Sequence, residues 1–371
     1  MEGKRGVSSD PSLVGRARPV ESVRLGIVGT GFGRYGLLPA FRRDPRCTVV
    51  AIASQSSERA AAYARDLSIP ASFAGWQDLL ADADVDAIAV AAPPAVQPDI
   101  VEGALNKGLA VFAEKPFAPN RERAAVLAAL AERTGLPNMI DFLFPELETW
   151  RRAKAALDGQ AIGEVRHFAV DWRMESYDNR KRLTGWKSDA GQGGGVLQHF
   201  ACHTLYYLEW LFGPIAQLSA ALGSARDLAR DGDTLATLSL RFASGVTGAV
   251  YCCSAATLRT IHSVEVFGAE GLLRLANDTP DPVAGFQLAL ATRADPTLRL
   301  LAAEPAAKGQ EDSRVAPVAR MARRFIDWCV GGAASAPSFR DAERNQELIA
   351  AVQRAAREGR VVDVAPSPPA R

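Results

Sequence analysis

Cysteine is scarce in this chain, with five in 371 residues. Cys47, Cys202, Cys252, Cys253 and Cys329 form no CxxC pair, and two of them are adjacent. That excludes a disulfide framework and a zinc finger, and it points to a reducing, cytoplasmic location. An excess of one charge is also missing. Lys and Arg total 43 against 42 Asp and Glu, for a formal net charge of +1. Such a balance leaves no electrostatic footprint for nucleic acid or for an anionic membrane. No apolar run approaches the ~18–20 residues of a membrane-spanning helix. Residues 1–22 are polar, carry Arg5, Arg16 and Arg18, and lack the apolar core of a signal peptide. They read as a flexible tail, and 365–371 as a loose Pro-rich one.

What is present is ordinary for a globular protein: 48% hydrophobic and 23% charged residues. The length, at roughly 150 residues per domain, suggests two domains. From Val23 onward short apolar runs alternate with helical stretches: 23–28, 47–53, 85–91, 109–113 and 137–142 as strands, with helices over 36–43, 58–66, 76–81, 98–107 and 121–134. This order predicts a parallel sheet with helices on both faces, a Rossmann-type domain over 23–144. Beyond Pro145 the pattern changes. A strand at 164–172 and one long helix at 196–211 precede consecutive strands at 218–222, 234–242, 246–253, 261–267 and 271–275, and helices follow at 316–330 and 341–358. The expected fold class is therefore α/β, with a second α/β domain over 145–364 built on a large, mainly antiparallel open sheet.

The first strand runs into Gly29-Thr30-Gly31-Phe32-Gly33-Arg34-Tyr35-Gly36. In a strand–turn–helix context the first glycine permits the tight turn and the second lets the backbone approach a pyrophosphate. The helix N-terminus then offers free N–H groups and a positive dipole end. Counted from Gly29, the third glycine of GxGxxG would fall at Arg34; counted from Gly31, Gly33 and Gly36 restore spacing. Gly29, Gly31, Phe32, Gly33 and Arg34 are thus the candidate cofactor cradle. After the second strand comes Ser54-Gln55-Ser56-Ser57-Glu58-Arg59. NAD binders usually place an acid at this strand end to hold the ribose 2′-OH. Here Ser54 and Gln55 are neutral, Glu58 falls on the next helix and Arg59 is basic. The loop therefore leans to NADP over NAD.

Further segments carry a family resemblance. Ala92-Pro93-Pro94 follows the third strand, Glu114-Lys115-Pro116 the fourth, and Gly193-Gly194-Gly195-Val196-Leu197 opens the helix bearing His203. Together with the glycine turn, the chain from about Val23 to at least Leu275 resembles the glucose–fructose oxidoreductase / inositol dehydrogenase / rhizopine-catabolism (Gfo/Idh/MocA) family. The resemblance implies a nicotinamide cofactor touching Ala92, Pro93, Glu114 and Lys115, and hydride exchange with a carbinol carbon of a sugar, cyclitol, glycoside or nucleotide sugar. It implies that Lys115 polarises the reacting oxygen, and that Lys115–Pro116 is a candidate cis peptide. It also implies a homodimer or homotetramer built through the second sheet. The chain departs from the pattern at three positions. His199 stands where an Asp is common, Tyr206 where a later Asp is common, and Gln97 where a His is frequent.

His199 and His203 lie four apart and so share a helix face. As catalytic groups, His203 would relay the hydroxyl proton and His199 would assist, since an imidazole titrates near neutrality. A metal pair is the weaker reading, because no third ligand presents itself. A purely structural pair among Phe200, Tyr206, Tyr207 and Trp210 is the bland one. Trp186 could stack on a sugar face and Lys187 could hold a polar substituent, although the loop could also be plain surface. The basic run Arg180-Lys181-Arg182 reads as a solvated face, Cys202 as a buried small residue, and Asp141 and Glu146 as substrate contacts, helix caps or a hinge ion pair. Two other functions fit the same residues. One is redox-neutral sugar chemistry on a retained cofactor; the other is a non-catalytic nucleotide sensor.

Overall fold

The computed structural model describes residues 21–305 and 309–366, so all but two residues of each expected tail, 1–22 and 365–371, lie outside the described residues. Six strands form the first sheet: β1 (Val23–Val28), β2 (Cys47–Ala53), β3 (Ala71–Phe73), β4 (Ala87–Val90), β5 (Ala110–Ala113) and β6 (Asn138–Ile140). Their order is β3-β2-β1-β4-β5-β6, and every pair is parallel. β4 and β5 are buried at every position, as continuous apolar runs between two helical layers should be. The sequence reading missed β3, whose three residues at the sheet edge carry no alternation to detect. The strand order reverses between β1 and β4, and the crevice at their C-terminal ends is where open α/β sheets bind ligands.

Nine strands form the second sheet: β7 (Val165–Arg173), β8 (Ile215–Gly223), β9 (Leu235–Phe242), β10 (Thr247–Cys253), β11 (Ile261–Gly268), β12 (Gly271–Asn277), β13 (Gln287–Thr292), β14 (Arg299–Ala303) and β15 (Val362–Asp363). They run β14-β13-β12-β11-β7-β10-β9-β8-β15, antiparallel except for the β7/β10 pair. The expected mainly antiparallel sheet is therefore present. β13, β14 and β15 lie outside the strands expected from sequence. Two lie at one edge and are alanine-rich, and the last has only two residues. β9 alternates buried and exposed residues, the signature of a sheet covered on one face.

The C-terminal helices return to the first sheet. Phe325 on Val315–Cys329 meets Phe41 and Phe112 edge-to-face, with centroids 6.1 and 5.8 Å away. Phe339, opening Phe339–Glu358, packs 4.5 Å from Phe117. That helix starts with a reciprocal cap between Ser338 and Asp341 and ends at Gly359 in a left-handed conformation. At the joint between the sheets, buried Glu146 pairs with Arg324 at 2.6 Å and Arg151 at 2.8 Å. Of the readings open for Glu146, this is the ion pair.

Candidate active site

The glycines of the turn meet different surroundings. Gly29 sits at φ 106°, and a Cβ there would collide with the Ala91 carbonyl oxygen. A Cβ on Gly31 would meet nothing within 4 Å, so the backbone at that position faces open space. Gly33 packs against Ile27, and Gly36 lies under the Phe32 ring. The expected helix at 36–43 begins earlier, as a wide turn over Gly33–Leu37 that continues into Leu38–Phe41. After β2, Ser54 is half-buried while Gln55 and Arg59 are exposed. Ser56 caps the next helix, accepting from the Arg59 N–H at 3.2 Å. Glu58 is held on that helix by the Ser56 hydroxyl, 2.9 Å away. The Arg34 guanidinium lies over the Tyr63 ring of the same helix at 4.4 Å.

Gly31 and Phe32 open onto a cleft of ≈ 390 Å³. Ala92, Pro93, Glu114, Lys115, Trp186, Lys187, His199 and His203 line it as well. The structure thus brings one cluster together from segments far apart in sequence. The Lys115–Pro116 peptide is cis. Gln97 is wholly buried beneath it, and its amide donates to the carbonyls of Glu114 and, at 3.0 Å, Pro116. A neutral amide in the place of a family histidine therefore braces the lysine turn. Lys115 Nζ donates to the His199 carbonyl at 3.0 Å.

The expected single helix at 196–211 is two pieces: a wide turn over Leu197–Ala201, then an α-helix over Cys202–Phe212. Its start is fixed by a residue the sequence reading did not single out. Asp233 accepts from the Leu197 N–H at 2.8 Å, and its own carbonyl accepts from the Val196 N–H at 2.8 Å. The preceding glycines make room for this. A Cβ on Gly195 would strike the Asp233 carboxylate, and one on Gly194 would strike the Trp186 carbonyl. Arg230 donates to the Lys187 carbonyl at 2.8 Å, holding the Trp186–Ser188 turn against the cleft. Lys187 itself pairs with Asp178 at 2.9 Å.

His203 is 6% exposed, and its Nδ1 is buried without a partner among the described residues. Phe142, Phe144 and Trp172 surround the ring. Burial, reinforced by Lys115, pushes both the His203 and the His199 imidazoles well below their ordinary values, so both are neutral near pH 7. Trp186 meets His199 edge-on at 5.8 Å. Tyr206 turns elsewhere, stacking on Phe142 at 4.3 Å. Cys202 is buried and does not line the cleft, and Arg180, Lys181 and Arg182 are exposed. Among the described residues no group of three His, Cys, Asp or Glu is disposed to hold a metal. No described helix is long and apolar enough to cross a membrane.

Two acids sit at the floor of the cleft. Asp141 follows β6 and Glu114 follows β5, one position beyond the paired residues Ala113 and Ile140. Both Asp141 oxygens and Glu114 Oε1 are buried without a hydrogen-bond partner among the described residues. Burial raises the titration of both acids, and the Asp141 carboxylate raises that of Glu114 further, against the pull of Lys115 and Arg314. Arg314, Phe144 and Trp172 also line the cleft. No local signal marks Arg314, which enters from the start of a distant helix.

Comparisons with known proteins agree with this architecture. Residues 23–142 match the oxidoreductase family with an NAD-binding Rossmann fold, and residues 150–274 match the GFO/IDH/MocA C-terminal domain. An uncharacterized oxidoreductase of Synechocystis sp. is 28% identical, over 88% of this chain and 92% of its own. D-apiose dehydrogenase of Paraburkholderia graminis is 29% identical, over 91% of this chain and 88% of its own. The structure of levoglucosan dehydrogenase in complex with NADH and levoglucosan superposes with a TM-score of 0.82 at 21% identity, over 93% of this chain and 99% of that one. With the glycine turn, the Glu114-Lys115-Pro116 turn and both sheets in place, the chain belongs to the GFO/IDH/MocA family of oxidoreductases.

Proposed function

We propose that the chain is an NAD(P)-dependent dehydrogenase or reductase acting on a secondary alcohol or ketone of a sugar or sugar-like molecule. The observation that carries this is the convergence of Lys115, His199 and His203 in one cleft that opens beside Gly31. The open backbone at Gly31, beside the bare start of a helix, suits a diphosphate. Gly29, Gly31, Phe32, Gly33, Ala92, Pro93 and Glu114 would hold the dinucleotide. When bound, its nicotinamide supplies hydride transfer to or from a carbinol carbon.

The chain's own groups handle the oxygen and its proton. The Lys115 ammonium, already aimed by the His199 carbonyl, holds the reacting oxygen and stabilises developing negative charge on it. The neutral His203 imidazole takes the hydroxyl proton in oxidation and returns it in reduction. His199 and Trp186 shape the wall on which the substrate rests. Trp172 and Phe200 extend that apolar wall, and aromatic faces of this kind suit the C–H face of a sugar. D-apiose dehydrogenase and D-xylose 1-dehydrogenase (NADP(+)) among the relatives support a sugar substrate.

For the cofactor, NADP is favoured. Arg34 in the glycine turn and Arg59 after β2 are exposed, and Glu58 is occupied on its helix. The small and polar residues exposed on β9, with Tyr251 on β10, offer a face for a second copy of the chain. The test is a spectrophotometric screen of NAD and NADP against sugars, cyclitols, glycosides and nucleotide sugars. Turnover with a polyol or keto-sugar is expected, with higher catalytic efficiency on NADP. Dinucleotide binding without turnover across the panel would instead identify a sensor.

A further inference from the structure

Arg314 enters the cleft from the second half of the chain, immediately before the helix Val315–Cys329 that packs on the first sheet. Its guanidinium lies 4.5 Å over the ring of Phe32 and 5.9 Å from that of Tyr35. Phe32 is the residue after Gly31, so a half-buried positive charge stands one residue from the open backbone of the glycine turn. The guanidinium is held from behind. Nε and Nη2 donate to the two Asp312 oxygens at 2.8 and 2.7 Å. Nη1 makes no hydrogen bond to a protein group among the described residues. A fork fixed on one edge by a carboxylate and on one face by an aromatic ring has lost its rotamer freedom before any ligand arrives.

We infer that Arg314 is a clasp for the diphosphate of the bound dinucleotide, closing from the second domain over the glycine turn of the first. This rests on the dinucleotide-binding reading above. The chemistry matches, because a guanidinium suits phosphate oxygens. The turn contributes backbone N–H groups from one side, and Arg314 contributes its free N–H groups from the other. The competing anions around Arg314 are Glu114 and Asp141, and they make no hydrogen bond to it. Asp312 keeps Arg314 oriented and is not a ligand itself.

The test is calorimetric titration of the full chain with NADP+, NAD+ and ADP-ribose, the last of which carries the diphosphate without the nicotinamide. Arg314→Gln is expected to weaken all of them by about tenfold or more, as removal of a charged hydrogen bond should. It should also flatten the dependence of affinity on salt. Arg314→Lys keeps the charge and is expected to retain most of the affinity. It also serves as the readout if the Gln variant does not fold. ADP-ribose bound by Arg314→Gln as tightly as by the parent chain overturns the clasp. So does an effect confined to the KM of an anionic substrate, which would assign Arg314 to that substrate. Failure of the parent chain to bind any of the three would overturn the dinucleotide-binding reading itself.

Discussion

Lys115 and His199 belong to different halves of the chain, yet Lys115 Nζ donates to the His199 carbonyl at 3.0 Å. One bond thus sets the lysine of the first sheet against the histidine helix of the second. An ammonium has three donors, so two remain for a reacting oxygen. Lys115→Met removes the charge but keeps most of the unbranched chain. It is expected to lower kcat by about 10²–10³-fold, the usual loss for one such donor. ADP-ribose affinity should stay within a few fold, because the diphosphate lies at the glycine turn. Steady-state kinetics and calorimetry on the same preparation check both halves of this expectation.

The environment of His203 fixes the sign of a pH effect. Burial and Lys115 lower its pKa, so the neutral form needed to accept a proton persists below the ordinary imidazole range. In the oxidation direction the rate should show no acid limb near pH ~6.5. Loss should begin only at lower pH. His203→Gln should lower kcat by about 10²–10⁴-fold. A parent profile with its acid limb centred at an ordinary imidazole value would remove His203 as the base.

Gly29 and Gly31 are separated by one residue and should respond in opposite ways. Gly29→Ala forces a side chain onto a φ of 106° and into the Ala91 carbonyl, so the variant should lose stability or fail to fold. Gly31→Ala meets open space, so its melting temperature should match the parent's. Its new methyl stands where a phosphate would approach, and nucleotide affinity should drop about tenfold or more. Equal dinucleotide affinity for Gly31→Ala and parent would mean that this backbone is not the cradle.

Local pattern carried the first sheet and the motif residues because their signals are short-range. β2 and the helix Arg121–Thr134 are read to the residue, since apolar runs, the Asn120 cap and Gly135 bound them. Glu114-Lys115-Pro116 and the two histidines are legible as motifs, and the fold then brings them into one cleft. Arg314 and Asp233 are not legible in this way. Each acts through a contact with a segment dozens to hundreds of residues away, and neither sits in a motif. The wide turn at Leu197–Ala201 is also hidden, because its sequence is as apolar as a regular helix. Edge strands β3 and β15 are too short to show a period.

His262 makes a stability prediction independent of function. It is buried, stacked on Trp172 at 4.0 Å and hydrogen-bonded to the Tyr207 hydroxyl at 3.1 Å, and burial lowers its pKa to about 3. Between that value and the ordinary one of 6.5 the unfolded chain binds a proton that the folded chain refuses. Stability is therefore full above the ordinary value and is lost as pH falls through this window, by about 1.4 kcal/mol per pH unit for one group. His199 and His203 add to the same slope. His262→Gln should flatten it by one proton's worth, measured by urea unfolding at several pH values from about 4 to 6. An unchanged slope would show that the ring is already protonated in the fold.

The Glu114–Asp141 pair works in the opposite direction. Burial raises the folded-state titration of both groups, and Asp141 raises that of Glu114 further, so the folded pair keeps a proton that the unfolded chain releases. The pair's contribution to stability is therefore greatest at low pH and declines as pH rises from the ordinary carboxyl range towards the raised values. Asp141→Asn removes one charge and leaves a similar shape. Relative to the parent, the variant should gain melting temperature at about pH 8 compared with about pH 5. The two counter-charges, Lys115 and Arg314, set the alternative. If both carboxylates are ionised and held by those cations, Asp141→Asn removes a favourable partner and loses stability increasingly as pH rises. The sign of that difference therefore decides whether the floor of the cleft carries one negative charge or two.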